Sequence, residues 1–265
     1  MSLKRVVVTG ASGFIGRALV AELEAQGVEV ERFSGDLFET ESLGKRLRSF
    51  EPPDAFFRLA WVATPGKYLE SEDNVRHVEA TLEIVRWARE VKLPKLVMTG
   101  SCIEYAFDQP GPVREDARTQ ARSLYARSKL IVLEVLERSD LPFTWARIFY
   151  PYGPGEHPER LFPKLRSTLA RGETFRMNSD GSHVRDFVHV EDVARALVAC
   201  ARPDAPRIVN IGSGEGVTLR EIALSIAREV GGEVTFGDAA LTEPPSIVAD
   251  VSRLRALGWE RLNRR

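Results

Sequence analysis

The segment "RVVVTGASGFIGRALVAELEAQG" (residues 5–27) narrows the possible folds more than any other part of the chain. Its first residues form a short, β-branched, apolar run, the signature of a buried strand. Glycines at 10, 13 and 16 then turn the chain directly into a helical pattern, and Gly27 stands where a helix stops in a left-handed residue. A buried strand followed at once by a helix belongs to parallel-sheet architecture, because parallel partners need a crossover. The three glycines have separable tasks. Gly10 permits the tight turn, Gly13 lets the backbone approach a pyrophosphate, and Gly16 lets the helix pack close to the strand. The free N–H groups and positive dipole end of the helix then face the phosphates. A ligand-free corner can also use glycines, but the position on the first strand of a βαβ frame favours dinucleotide binding.

The alternation continues to about residue 150. "VEVERF" (28–33), "AFFRLAW" (55–61), "KLVMTGS" (95–101) and "FTWARIF" (143–149) read as strands. Between them lie helical segments at 39–50, 72–91 and 124–139, the second with Val75, Val78, Leu82 and Val85 as its apolar stripe. Strands separated by helices imply parallel βαβ units, so we expect an α/β fold, a doubly wound parallel sheet with helices on both faces. Beyond residue 150 the pattern loosens. "YPYGPGEHPERLFP" (150–163) reads as a long loop, 161–171, 190–201 and 218–230 as helices, and "RIVNIG" (207–212) as a strand. Thr218 and Glu221 form a capping-box pattern. The expected division is a dinucleotide-binding domain over 1–150 and a smaller C-terminal α/β substrate lobe over 151–265, interleaved with the first and not linker-separated.

Charge and composition exclude several partners. A net charge of −1 gives no whole-chain basic footprint for nucleic acid. Two cysteines, Cys102 and Cys200, make no disulfide framework and point to a reducing cytoplasm. No run approaches the ~18 apolar residues of a membrane span, and the N-terminus is too short for a signal-peptide core. The four histidines lack metal-ligand spacing, so no metal is expected.

Tyr125 and Lys129 in "LYARSKL" are i and i+4 on one helix and share a face. They are either two solvated residues or a proton-handling pair in which the ammonium lowers the phenol from its usual pKa near ~10. The wider pattern bears on that choice. "TGASGFIG", "GSCIEY" and "YARSK", with "RIFYPYGPG", "SDGSHVRDFVHVEDVA", "VNIGSG" and "DVSRLRALGW", together resemble the extended short-chain dehydrogenase/reductase family in its nucleotide-sugar epimerase/dehydratase branch. The likeness spans nearly the whole chain.

The resemblance implies a Rossmann-type sheet, NAD or NADP as cofactor, a nucleotide-sugar substrate, and a homodimer built from the helices at 72–91 and 124–138. It implies a catalytic triad of Ser101, Tyr125 and Lys129. Ser101 holds the reacting oxygen, Tyr125 gives or takes its proton, and Lys129 binds the nicotinamide ribose and tunes the tyrosine. For the cofactor it implies Gly10, Ser12, Gly13, Phe14, Ile15 and Gly16 at the turn, Asp36 and Leu37 at the adenine, Leu59 and Ala60 as a backbone approach, and Tyr125 and Lys129 at the ribose. Substrate contacts fall to Ser101 and Arg185, the latter meeting a diphosphate. Arg58 stands where the family often has histidine, and His77 where it often has asparagine. The usual acidic position at the end of the second strand falls near Ser34, with Arg32 and Asp36 close by, so NAD and NADP both stay open.

Sugar 4,6-dehydratases of this family carry Asp-Glu directly after the catalytic hydroxyl, whereas Cys102 and Ile103 follow Ser101 here. The family's 3,5-epimerase/reductases put a cysteine two after the serine, where Ile103 stands here, so 4-keto reduction or C4 epimerisation remains. Reduction of a small carbonyl compound and a non-catalytic, cofactor-sensing role on the same scaffold are the alternatives. The end of the chain, "GWERLNRR", stops short of the family's final helix.

Overall fold

Val6, Val7 and Val8 lie at the centre of the computed structural model, each exposed by 1% or less. The structure describes residues 3–239 and 242–263. These valines belong to β1 (Arg5–Thr9), which pairs in parallel with β2 (Glu29–Phe33) on one side and β3 (Ala55–Arg58) on the other. β4 (Leu96–Ser101), β5 (Phe143–Ile148) and β9 (Ile208–Ile211) continue the sheet in parallel, in the order β2-β1-β3-β4-β5-β9. The strands inside the edge strand β2 are mostly apolar because both faces are covered, whereas β2 keeps Glu29, Glu31 and Arg32 exposed. α1 (Phe14–Ala25) and α6 (Val190–Cys200) bury Leu19, Leu23, Val193 and Leu197 on one face. α2 (Thr40–Leu47), α3 (Asp73–Glu90) and α4 (Leu124–Glu137) bury Leu43, Ile84 and Leu133 on the other. The expected doubly wound sheet is therefore present. Its strand order reverses direction between β1 and β3, the switch point where such sheets open a crevice at their C-terminal edge.

The chain then leaves the sheet and returns. β6 (Tyr150–Tyr152), β8 (Val184–His189), β10 (Gly216–Thr218) and β12 (Ser246–Ile247) form a second, mixed sheet around β8. β7 (Phe175–Met177) pairs with β11 (Val234–Phe236). α5 (Leu161–Ala170) and α7 (Leu219–Val230) pack over this region through Leu165, Leu169, Ile222 and Ile226. The Thr218–Glu221 capping box closes as expected, with both reciprocal hydrogen bonds made. Between these elements the chain runs back to the first sheet through α6 and β9, and α8 (Ser252–Ala256) follows later. No described helix is long and apolar enough to cross a membrane.

Two expectations need correction. Tyr150–Tyr152, expected as loop, pairs in parallel with β8, because Pro151 sits on an edge strand where its missing N–H costs nothing. The α3 stripe is also displaced. Its buried face is Asn74, His77, Ala80, Thr81, Ile84, Val85, Trp87 and Ala88, while Val75 is 48% exposed. The helix carries apolar residues on two faces, and the polar Asn74, His77 and Thr81 go inward because each finds a hydrogen-bond partner there.

Candidate active site

At the switch point the glycine turn presses against the end of β3. Gly10 has φ +71, and a Cβ there would lie 2.7 Å from the Ala60 nitrogen. The Thr9 hydroxyl accepts from the Leu59 and Ala60 amides at 3.2 and 3.4 Å, which ties the two strand ends together. A Cβ on Gly16 would come within 1.9 Å of the Gly10 carbonyl oxygen, so this glycine is forced by packing of the helix on the turn itself. Gly13 is different. Its backbone is extended, its Cβ would meet only the Gly10 oxygen at 3.2 Å, and no side chain caps α1. The protein's own packing does not demand a glycine there. An open cradle at the uncapped helix N-terminus fits a pyrophosphate group. Ser12, Phe14 and Ile15 complete this turn.

Beyond β2, the Asp36 carboxylate accepts from the Phe38 amide at 2.8 Å, and Leu37 packs on the core below α2 and α3. Arg32 is tied to Glu24 at 2.6 Å. Arg46 of α2, which no sequence pattern singled out, lies against Ser34 and Gly35 instead.

Ser101 ends β4 and opens a short turn over Cys102–Glu104. Glu104 is fully buried, accepting from the Ser101 amide at 2.7 Å, from Arg147 Nε at 2.7 Å and from the Trp145 indole at 3.1 Å. This network holds the Ser101 backbone in place. It was invisible in the sequence because a glutamate beside a turn reads as surface. Tyr125 faces Ser101 from the first turn of α4, near enough for the serine hydroxyl to bear on the ionisation of the phenol. Lys129, 2% exposed, donates to the Thr99 carbonyl at 2.7 Å, and its ammonium lies 5.5 Å from the Tyr125 ring centre. The three expected residues therefore converge at the C-terminal end of β4.

The electrostatics differ from the expectation. Burial raises the Tyr125 phenol above its ordinary value, which outweighs the lowering effect of the nearby Ser101 hydroxyl. The lysine does not counter this, because burial and the neighbouring Arg58 disfavour its own charged form. Arg58 and His77, at positions where the family differs, make a pair. Arg58 is 1% exposed and donates to His77 Nδ1 at 3.2 Å. Burial lowers the arginine to about 9, and burial with Arg58 lowers His77 to about 3, so the imidazole is neutral and accepts. Trp61 closes the cluster. Its indole donates to Asn74 at 2.8 Å, stacks on His77, and lies 3.8 Å beneath the Lys129 ammonium. Cation–π contact of this kind, with the charge of Glu104, offsets part of the burial that disfavours the ammonium.

Arg185 lies farther out on β8. It is 2% exposed and donates to the Val184 and Pro244 carbonyls and to the Glu243 carboxylate at 2.7 Å. Its neighbour Asp186 turns away, accepting from Ser213, Gly214 and Ala249. Tyr150 lies beneath the guanidinium, and Tyr68 makes an edge contact with Tyr125. Both are loop or edge-strand residues with no periodic signal, so sequence reading passed over them.

Comparisons with known proteins agree with this fold. A model of the NAD dependent epimerase/dehydratase family matches residues 6–212. The low-salt glycan biosynthesis protein Agl12 of Haloferax volcanii is 30% identical over 69% of this chain, an alignment that spans 62% of that relative's length. A UDP-glucose 4-epimerase of Azospirillum brasilense is 25% identical over 96% of this chain and 86% of its own. Among solved structures, MoeE5 in complex with UDP-glucuronic acid and NAD superposes with a TM-score of 0.81 at 28% identity, covering 98% of this chain and 94% of that one. With its parallel sheet, its glycine turn at the switch point and a family match over most of its length, the chain belongs to the NAD dependent epimerase/dehydratase family.

Proposed function

We propose that the chain transfers a hydride at C4 of a nucleotide-activated sugar, as a 4-keto reductase or a C4 epimerase. The observation that carries this reading is the convergence of Ser101, Tyr125 and Lys129 at the end of β4, with only β3 between it and the strand that carries the glycine turn. The bound nicotinamide supplies the hydride donor or acceptor. Ser101 orients the C4 oxygen, and Tyr125 passes the proton to or from that oxygen. Lys129 holds the ribose hydroxyls with its remaining donors. Residues 1–150 seat the cofactor, and residues 151–265 bring Arg185 to the diphosphate of the sugar nucleotide. The buried, reduced thiols fit a cytoplasmic home.

Water elimination would need an acid and a base beside Ser101. Cys102 is fully enclosed and burial pushes its thiol up to about 12, Ile103 has no proton to give, and Glu104 is locked to Arg147. The test is product analysis by NMR after turnover of a nucleotide-sugar panel, 4-keto sugars included, in deuterated water. Hydride transfer at C4 leaves no solvent deuterium on carbon. Solvent deuterium at C3, C5 or C6 would mean elimination or 3,5-epimerisation and would overturn the assignment.

We further propose a homodimer through α3 and α4. Val75, Ile131 and Val135 are 48%, 51% and 36% exposed on these two adjacent helices, an apolar surface that a two-fold pairing would cover. Light scattering across a wide concentration range is expected to give twice the 29.6 kDa chain mass, and Ile131→Glu should give monomers. A monomer at every concentration would contradict the pairing.

A further inference from the structure

The C-terminal end of β2 carries a positive charge that no carboxylate among the described residues neutralises. In sheets of this type the adenosine ribose sits over that strand end, where a carboxylate receives the 2′-hydroxyl or an arginine receives a 2′-phosphate. Ser34 and Gly35 stand there. Arg46, reaching up from α2, lays its guanidinium across both. One terminal nitrogen lies 3.4 Å from the Ser34 hydroxyl, and the other fills the space a Cβ on Gly35 would take, only 1.6 Å from that position. The guanidinium carbon is 4.9 Å from the centre of the Phe33 ring, which supports it from the strand side. The neighbouring cations are each neutralised: Arg32 by Glu24, Lys45 by Glu41, and Arg48 by Glu83 and Glu90. Arg46 has no carboxylate partner among the described residues. Asp36, the one acid close behind the strand end, is engaged with the Phe38 amide.

We infer that Ser34 and Arg46 form a 2′-phosphate subsite, and that the chain prefers NADP(H) to NAD(H). A hydroxyl and a planar, permanently charged fork side by side match a phosphate dianion, whereas a ribose hydroxyl would leave the guanidinium without a counter-charge. The inference rests on the dinucleotide reading of the glycine turn. It departs from the sequence-based candidate, because Arg32 is diverted to Glu24.

Equilibrium titration with NADPH and NADH, followed by cofactor fluorescence, tests it. Hydrogen bonds to a charged group predict a preference for NADPH of about 10- to 100-fold in the native protein. Arg46→Ala should abolish most of that preference and leave NADH affinity within about twofold, Ser34→Ala should reduce it less, and Arg32→Ala should leave it unchanged. Adenosine 2′,5′-bisphosphate should compete with NADPH in the native protein and fail to do so in Arg46→Ala. Equal affinity of the native protein for the two cofactors overturns the inference without further variants. So does an NADPH:NADH ratio that Arg46→Ala does not change. Failure to bind either cofactor would remove the dinucleotide reading itself, a result distinguishable from both.

Discussion

Gly13→Val is expected to fold normally and to lose the dinucleotide. The Gly13 backbone has φ −74 and ψ 175, a region valine favours. The added Cβ would meet only the Gly10 oxygen, at 3.2 Å, a contact that a small shift relieves. The melting temperature should stay within about 5 °C of the native value. The branched side chain would nevertheless stand over the uncapped amides of the first turn of α1, where the pyrophosphate must sit. Losing two charge-assisted hydrogen bonds predicts a fall in cofactor affinity of at least ~100-fold. Gly16→Val provides the contrast. Its Cβ would strike the Gly10 oxygen at 1.9 Å, so that variant should lose the turn and stability together. Cofactor affinity near native in a folded Gly13→Val protein would show that the cradle holds something else.

The features legible in the sequence were those with a short-range period or spacing. The strand–glycine–helix unit and the alternation up to β5 follow from burial on both faces of a parallel sheet, which makes each strand inside the edge strand β2 a short apolar run. Ser101, Tyr125 and Lys129 were legible because two of them share one helix face and the third ends a strand. Three-residue strands such as β6, β7 and β10 carry too few residues to show alternation, and Pro151 argues against a strand unless the edge position is known. The inward face of α3 was misjudged because His77 and Asn74 are buried by their partners Arg58 and Trp61, which come from a different strand and loop. Arg46 at Ser34, and Glu243 at Arg185, are long-range contacts with no local signature. The same holds for the phenol of Tyr125. Spacing suggested that Lys129 would lower it, whereas the enclosure of the site raises it.

That elevated phenol defines the central claim. A hydroxyl kept protonated by burial suits the delivery of a proton to a ketone oxygen while hydride arrives at carbon. The reduction rate should therefore be flat through neutral pH and decline only as the solution approaches the ordinary tyrosine value near ~10 or beyond. Tyr125→Phe keeps the ring, its edge contact with Tyr68 and its place on α4, and removes only the ionisable oxygen. The decisive measurement is the single-turnover rate of cofactor oxidation by a 4-keto nucleotide sugar, in native protein and in Tyr125→Phe, with the affinities for cofactor and sugar nucleotide measured alongside. The expected result is unchanged affinities and a rate lower by ~10²–10⁴-fold. A Tyr125→Phe protein that reduces the sugar at the native rate, with the native pH dependence, would contradict the account.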